Sequence, residues 1–187
     1  MAEPRDRYSN VSLLLHWLIA GLVVAQVLLV MGADAAGEAN RELGRAYIGL
    51  HKSVGATILI LTLVRIGWRV ANPAIPLPAA TPRWQKLLAR TTHVLFYVVL
   101  LAMPLAGWAA SSAVDRPVEW FGLFTLPQLP VPDSRELAGG LMDAHRAAAK
   151  LLYLLIVLHV AGALKHHLAD KDGVLARMLP FLRRRTV

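Results

Sequence analysis

Seven histidines and no cysteine frame what this 187-residue chain can do. Two of them, His145 and His159, lie in the stretch Met142–Pro180, whose middle, Ala147–Leu164, is apolar apart from Lys150 and His159 itself. They are fourteen residues apart. Fourteen residues make close to four helical turns, so both imidazoles leave one helix face roughly 21 Å apart along its axis. In a bilayer with a hydrocarbon core about 30 Å thick, one then lies near each side. A neutral imidazole is a preferred axial ligand of haem iron, and a six-coordinate haem needs one on each side of its plane. Met142–Pro180 therefore reads as one rail of a two-haem ladder, and the rest of the chain must carry the opposite ligands.

Composition supports a membrane setting. The chain is 56% hydrophobic with a mean hydropathy of +0.50, more apolar than soluble domains. Its length suggests one domain, residues 1–187. The absence of cysteine excludes disulfides, iron–sulfur clusters, covalent haem attachment and thiolate zinc sites. The net charge of +8 is not a nucleic-acid signature, because the cations sit at the ends of apolar segments. The first apolar run carries a histidine and no clear A-x-A cleavage site, so it reads as a retained membrane helix.

Four apolar segments are long enough to span: about 12–31, 51–68, 91–111 and 145–164. No period of 20–50 residues recurs, which favours a bundle over a solenoid. The fold expected is all-α, a transmembrane four-helix bundle. Arg5 and Arg7, then Arg65, Arg69, Arg83, Lys86 and Arg90, then Lys165, Lys171, Arg177 and Arg183–Arg185 fall on one side. The loops 32–50 and 112–144 hold only Arg41, Arg45, Arg116 and Arg135 beside eight acids. The positive-inside rule then places both termini in the cytoplasm. The linker Asn72–Pro82 is proline-rich and extended. The outer stretch Pro117–Pro132 is too short and proline-broken to span; Trp120, Phe121 and Phe124 suit the interface, and the stretch can lie over the bundle as a lid. Pro104 is expected to kink the third helix.

Depth arithmetic pairs the histidines. His16 lies about four residues into the first segment and His159 about five from the inner end of the fourth. His51 opens the second at its outer end, level with His145. The inner pair is His16 with His159 and the outer pair His51 with His145. His93, near the inner start of the third segment, competes with His16. Gly55 and Gly162 lie near ligands, where they admit a flat macrocycle or simply allow close helix packing. Ionisable groups inside a bilayer are expensive and usually functional, which weighs against hydrogen-bonded core histidines. Zinc is the rival metal, but it wants three or four close ligands and the spans hold no acid. Arg65 is fourteen residues after His51 and faces the bundle near the inner level, where a propionate or a quinone headgroup would answer its charge; the alternative is snorkelling. His166 and His167 read as interfacial, with propionate contact as their functional reading.

LHWLIA at Leu15–Ala20, GLHKSVG at Gly49–Gly55, LVRIGWR at Leu63–Arg69, HVLFYVVLLAMPLAGW at His93–Trp108 and LHVAGALKHHLADKDGVLARMLP at Leu158–Pro180 together resemble the bacterial cytochrome b561 family of dihaem membrane proteins. The resemblance covers nearly the whole chain and leaves out the outer loop. It implies four helices, two haem b groups and electron exchange with a quinone at the bacterial inner membrane. By that resemblance His16, His51, His145 and His159 are the ligands and the third helix gives none, which leaves His93 as a quinone or propionate neighbour. The family also contains a superoxide:ubiquinone oxidoreductase, and this compact chain looks like such a member.

The function expected is thus electron transfer from superoxide outside to ubiquinone inside. Iron with two histidine ligands has no open position, so outer-sphere transfer is the chemistry and no side chain is expected to be catalytic. Membrane lipid, quinone and superoxide are the expected partners, and nucleic acid is not one. Lys52, Arg146 and Lys150 surround the outer level and would draw in a small anion, or else snorkel to headgroups. Two alternatives stand beside this reading: a haem b subunit serving a separate membrane dehydrogenase, and a metal-ion transporter with a histidine pathway.

Overall fold

The computed structural model describes residues 7–37 and 39–182. Four helices dominate: α1 (Asn10–Ala36), α2 (Arg41–Ala71), α3 (Arg83–Ser112) and α4 (Arg135–Lys165). All four are long and apolar enough to cross a membrane. The shortest has 27 residues, hence a length of about 40 Å, longer than a hydrocarbon core. The expected spans were only the apolar middles of these helices.

The extra turns come from capping. Ser9 Oγ accepts from Ser12 N at 3.2 Å and starts α1. Asn40 Oδ1 accepts from Leu43 N at 3.1 Å and starts α2, and Ser134 Oγ accepts from Leu137 N at 3.1 Å and starts α4. Glu42 and Glu136 then sit in first turns, where the helix dipole favours an acid. His51 therefore does not open its helix, as expected, but lies in the third turn of α2. Asn72 ends α2 immediately before Pro73, a position where a helical backbone is disfavoured. α3 runs as one helix through Pro104.

α1 packs on α2, α2 on α3 and α3 on α4. The backbone of α4 stays further from those of α1 and α2. The core, including Ile19, Val23, Val54, Ile58, Val99, Leu152 and Leu155, fills the middle of the bundle. Large apolar side chains elsewhere point outward, Val70 at 78% exposure among them, as a lipid-facing surface requires.

The connection 72–82 is extended, as expected. It lies at the same end as the described termini, because Arg177 donates to Pro76 O at 2.7 Å and Trp17 Nε1 to Met178 O at 3.0 Å. We call this the terminal end. Arg5 and Arg183–Arg185, used in the charge count, lie outside the described residues.

At the opposite end, β1 (Glu119–Trp120) and β2 (Phe124–Thr125) form a small antiparallel hairpin. Its turn has Phe121 at φ 51° and Gly122 at φ 71°, the sign pattern of a type I′ turn. The hairpin is fastened to α2. Phe121 N donates to Ser53 Oγ at 3.0 Å, Ser53 Oγ donates to Glu119 O at 2.8 Å, and Trp120 Nε1 donates to Thr57 Oγ1 at 3.0 Å. The lid expectation holds for Trp120, whereas Phe121 and Phe124 are exposed.

Candidate functional site

Two histidine pairs face each other across the gap beside α4. At the terminal end, the His16 and His159 rings have centroids 6.1 Å apart and planes inclined at 61°. At the hairpin end, His51 and His145 have centroids 6.0 Å apart and planes at 67°. α4 gives one member to each pair, α1 and α2 give one each, and α3 gives neither. Leu152, halfway between His145 and His159 in sequence and 4% exposed, belongs to the apolar core between the two levels.

The local structure prepares these rings. Asn40-Arg41-Glu42-Leu43 and Ser134-Arg135-Glu136-Leu137 are matching helix starts, and in each case the histidine follows eleven residues after the cap. His51 and His145 thus lie at equal depth below their caps, about 16 Å by helical rise. His145 Nδ1 donates to Met103 O at 2.8 Å, which fixes the tautomer and leaves Nε2 with its lone pair. Gly107 makes room for that ring: a Cβ there would lie 3.2 Å from His145 Nδ1. Gln26 is buried in α1 and donates from Nε2 to His51 O at 3.1 Å. His51 Nδ1 itself is buried and without a hydrogen-bond partner among the described residues.

The terminal-end pair has more neighbours. The His93 ring lies 5.4 Å and the Phe96 ring 5.5 Å from that of His159. Arg65 donates to Ser12 O at 3.2 Å and touches His16 Nδ1 at 3.4 Å. One turn on, Trp68 Nε1 donates to Ser12 Oγ at 3.0 Å. Among the described residues Arg65 contacts no carboxylate, so its charge faces the His16 ring unneutralised.

Three expectations change. Gly55 does not open onto the histidines; a Cβ there would meet Gln26 Nε2 at 3.1 Å, so its role is close packing of α2 on α1. Gly162 does face open space. His166 is not a loose interfacial side chain but is buried, with Asp172 Oδ2 2.6 Å from its Nδ1, while His167 is exposed. The cation trio is also weaker than its sequence suggests. Arg146 pairs with Asp143 at 3.0 Å, and Lys52 Nζ reaches Arg116 O at 3.5 Å. Gln26, Gly107 and Met103 had no signal of their own in the sequence, since each acts through a contact between helices.

The fit to haem can be tested on this geometry. A metal–imidazole bond is about 2.0 Å and a ring centroid lies about 1 Å behind the bonding nitrogen, so two axial rings stand roughly 6 Å apart. Both pairs meet that spacing. The backbone of α4 stands off from those of α1 and α2, so the paired rings meet across a loosely packed face of the bundle. Among the described residues neither pair belongs to a group of three ligand atoms all within 4.8 Å of one another, which disfavours zinc there. The residues fit.

Comparison with known proteins agrees with the geometry. The family described as prokaryotic cytochrome b561 matches residues 7–181. The chain is 33% identical over 175 residues to cytochrome b561 homolog 2 of Escherichia coli strain K12, covering 93% of this chain and 92% of that one. It is 31% identical over 175 residues to cytochrome b562 of Cereibacter sphaeroides, covering 92% and 94%. It is 28% identical over 174 residues to a protein of Yersinia pestis named probable superoxide oxidase CybB, covering 93% and 96%. A four-helix bundle with histidines paired across it, matched over nearly its full length, belongs to the prokaryotic cytochrome b561 family of membrane electron-transfer proteins, which bind b-type haem.

Proposed function

We propose that the chain holds two haem b groups, one on His16 and His159 and one on His51 and His145, and carries electrons from superoxide to ubiquinone. The observation behind this is the pair of matched ring spacings, 6.1 and 6.0 Å, at opposite ends of one bundle. The terminal end is cytoplasmic and the hairpin end periplasmic, as the cation distribution in the sequence argues for a bacterial inner-membrane protein. The similarity to a probable superoxide oxidase supports the choice of donor.

Haem held by these histidines would supply one-electron redox chemistry. The protein does the rest. Met103 O holds the His145 ring through its Nδ1–H. Gln26 braces the backbone of His51, and the hairpin on Ser53 and Thr57 covers α2 just beyond it. Lys52, beside Arg116 O, offers positive charge to an approaching anion. At the other end, Arg65 favours added negative charge near His16, and His93, beside the His159 ring, would be the contact for a quinone headgroup. Two superoxide ions give up one electron each and leave as dioxygen. The two electrons, with two protons from the cytoplasmic side, convert quinone to quinol.

Haem quantitation on purified variants tests the pairing. His51→Ala and His145→Ala each remove the same single haem, while His16→Ala and His159→Ala each remove the other. Loss of a common haem in His51→Ala and His16→Ala, with the second retained in both, refutes it. Failure of superoxide to reduce the intact dihaem protein moves the donor to a membrane dehydrogenase partner.

A further inference from the structure

Outside the two histidine pairs, metal-ligating side chains converge at the end of α4. The helix does not stop cleanly at Lys165. It widens into one π turn, His166–Asp170, a rare form that concentrates at functional sites. Lys171 then adopts the left-handed conformation, φ 53°, and reverses the chain, so that Asp172 N donates to His166 O at 3.4 Å. This reversal brings together His166 Nδ1, Asp170 Oδ2 at 3.2 Å and Asp172 Oδ2 at 2.6 Å. Ligand atoms of all three residues lie within 4.8 Å of one another. Asp172 Oδ1 accepts from Val174 N at 3.1 Å, which orients its carboxylate, and His166 is 8% exposed.

Two carboxylates therefore approach one nitrogen that can offer a single hydrogen. A helix stop needs only one of them. The second, Asp170, is paired with Lys165 Nζ at 2.7 Å. Lys165 also donates to Gln85 Oε1 at 2.7 Å, so it retains a partner if Asp170 turns away.

We propose that His166, Asp170 and Asp172 form a binding site for a divalent transition-metal ion of the zinc type, with the Lys165 ammonium as its resident competitor. One imidazole and two carboxylates suit such an ion, with water in the remaining position, whereas magnesium and calcium take oxygen donors. Metal–ligand bonds of about 2.0–2.2 Å set donors roughly 3.3 Å apart. The His166–Asp170 separation already fits, and the His166–Asp172 separation must open by roughly 0.7 Å to reach it. The site also has a path to the rest of the molecule. The segment it anchors leads to Met178, whose carbonyl holds Trp17, and the Trp17 ring lies 5.0 Å from that of His16. A bound ion pins the chain segment that braces the terminal-end pair.

The test is a titration of Zn²⁺ into haem-loaded, detergent-solubilised protein against a chromophoric chelator. Variants Asp170→Asn, Asp172→Asn, Lys165→Gln and His167→Gln are compared after their haem spectra have been matched to the parent. Asp170 is about a third exposed, so its variant keeps the test open if Asp172→Asn does not fold. The expected result is one saturable site per chain, weakened at least about tenfold in both Asp variants. It is tightened in Lys165→Gln and unchanged in His167→Gln. No saturable site, or one whose affinity ignores the Asp substitutions, overturns the proposal and leaves an ion-paired helix stop. Equal affinity for Mg²⁺ overturns the assignment of ion class.

Discussion

Replacing Arg65 by methionine should lower the reduction potential of the terminal-end haem and leave the other unchanged. The guanidinium touches His16 Nδ1 at 3.4 Å, and among the described residues no carboxylate offsets its charge. Adding the width of the imidazole and a metal–nitrogen bond would put the charge roughly 7–8 Å from a metal on Nε2, a ligation that moves the ring's one proton to Nδ1 and leaves Arg65 on its Ser12 O partner. At an effective dielectric of about 20, a unit charge at that distance is worth about 2.2 kcal/mol. For one electron, at about 59 mV per tenfold and about 1.4 kcal/mol per tenfold, that is about 90 mV. Arg65 is half-buried, and solvent screening reduces the effect, so a fall of roughly 50–90 mV is expected. Arg65→Lys keeps the charge and should recover most of it. The assay is a spectroscopic redox titration, repeated in a His51→Ala background that retains only the terminal-end haem. Equal shifts at both haems, or none at the terminal end with haem content intact, refute the electrostatic argument.

Three other outcomes follow from named contacts. Gly107→Val drives a branched side chain into the ring of His145 and should deplete the hairpin-end haem while sparing the other, read as haem per chain; full occupancy of both would show that the ring has room to move. His93→Ala should slow quinone reduction by about tenfold or more with both haem spectra intact, and unchanged quinone kinetics would remove His93 from that site. Reduction by superoxide should slow with rising ionic strength and slow further in Lys52→Gln, while a neutral donor is unaffected; a superoxide rate indifferent to salt and to the substitution ends the steering idea.

The histidine pairs were legible because a membrane fixes depth. Fourteen residues between His145 and His159 leave few ways to arrange ligands in a slab of known thickness, and His16 and His51 then fall at matching levels. Helix ends were less legible, since hydropathy sees only the buried middle. The polar starts at Arg41 and Arg135 are written in the caps Asn40 and Ser134, a signal of a different kind. Contacts between helices were not legible at all. Nothing local separates Gly107, which faces His145, from Gly55, which faces Gln26. His166 looked like any histidine in a charged stretch until the π turn and the left-handed Lys171 folded Asp172 back onto it.

The position of α4 bears on how the protein is made. Synthesis runs from the first residue to the last, so α1 and α2 enter the bilayer with His16 and His51 long before the final helix appears. Under the proposed ligation, each waits for a partner that only α4 carries. The two proposed sites would then not close one at a time as the chain emerges; both would become complete when a single late segment docks. Cofactor loading would thereby be tied to the end of translation, and a ribosome that stalled before Arg135 would leave behind a membrane fragment with no finished redox centre.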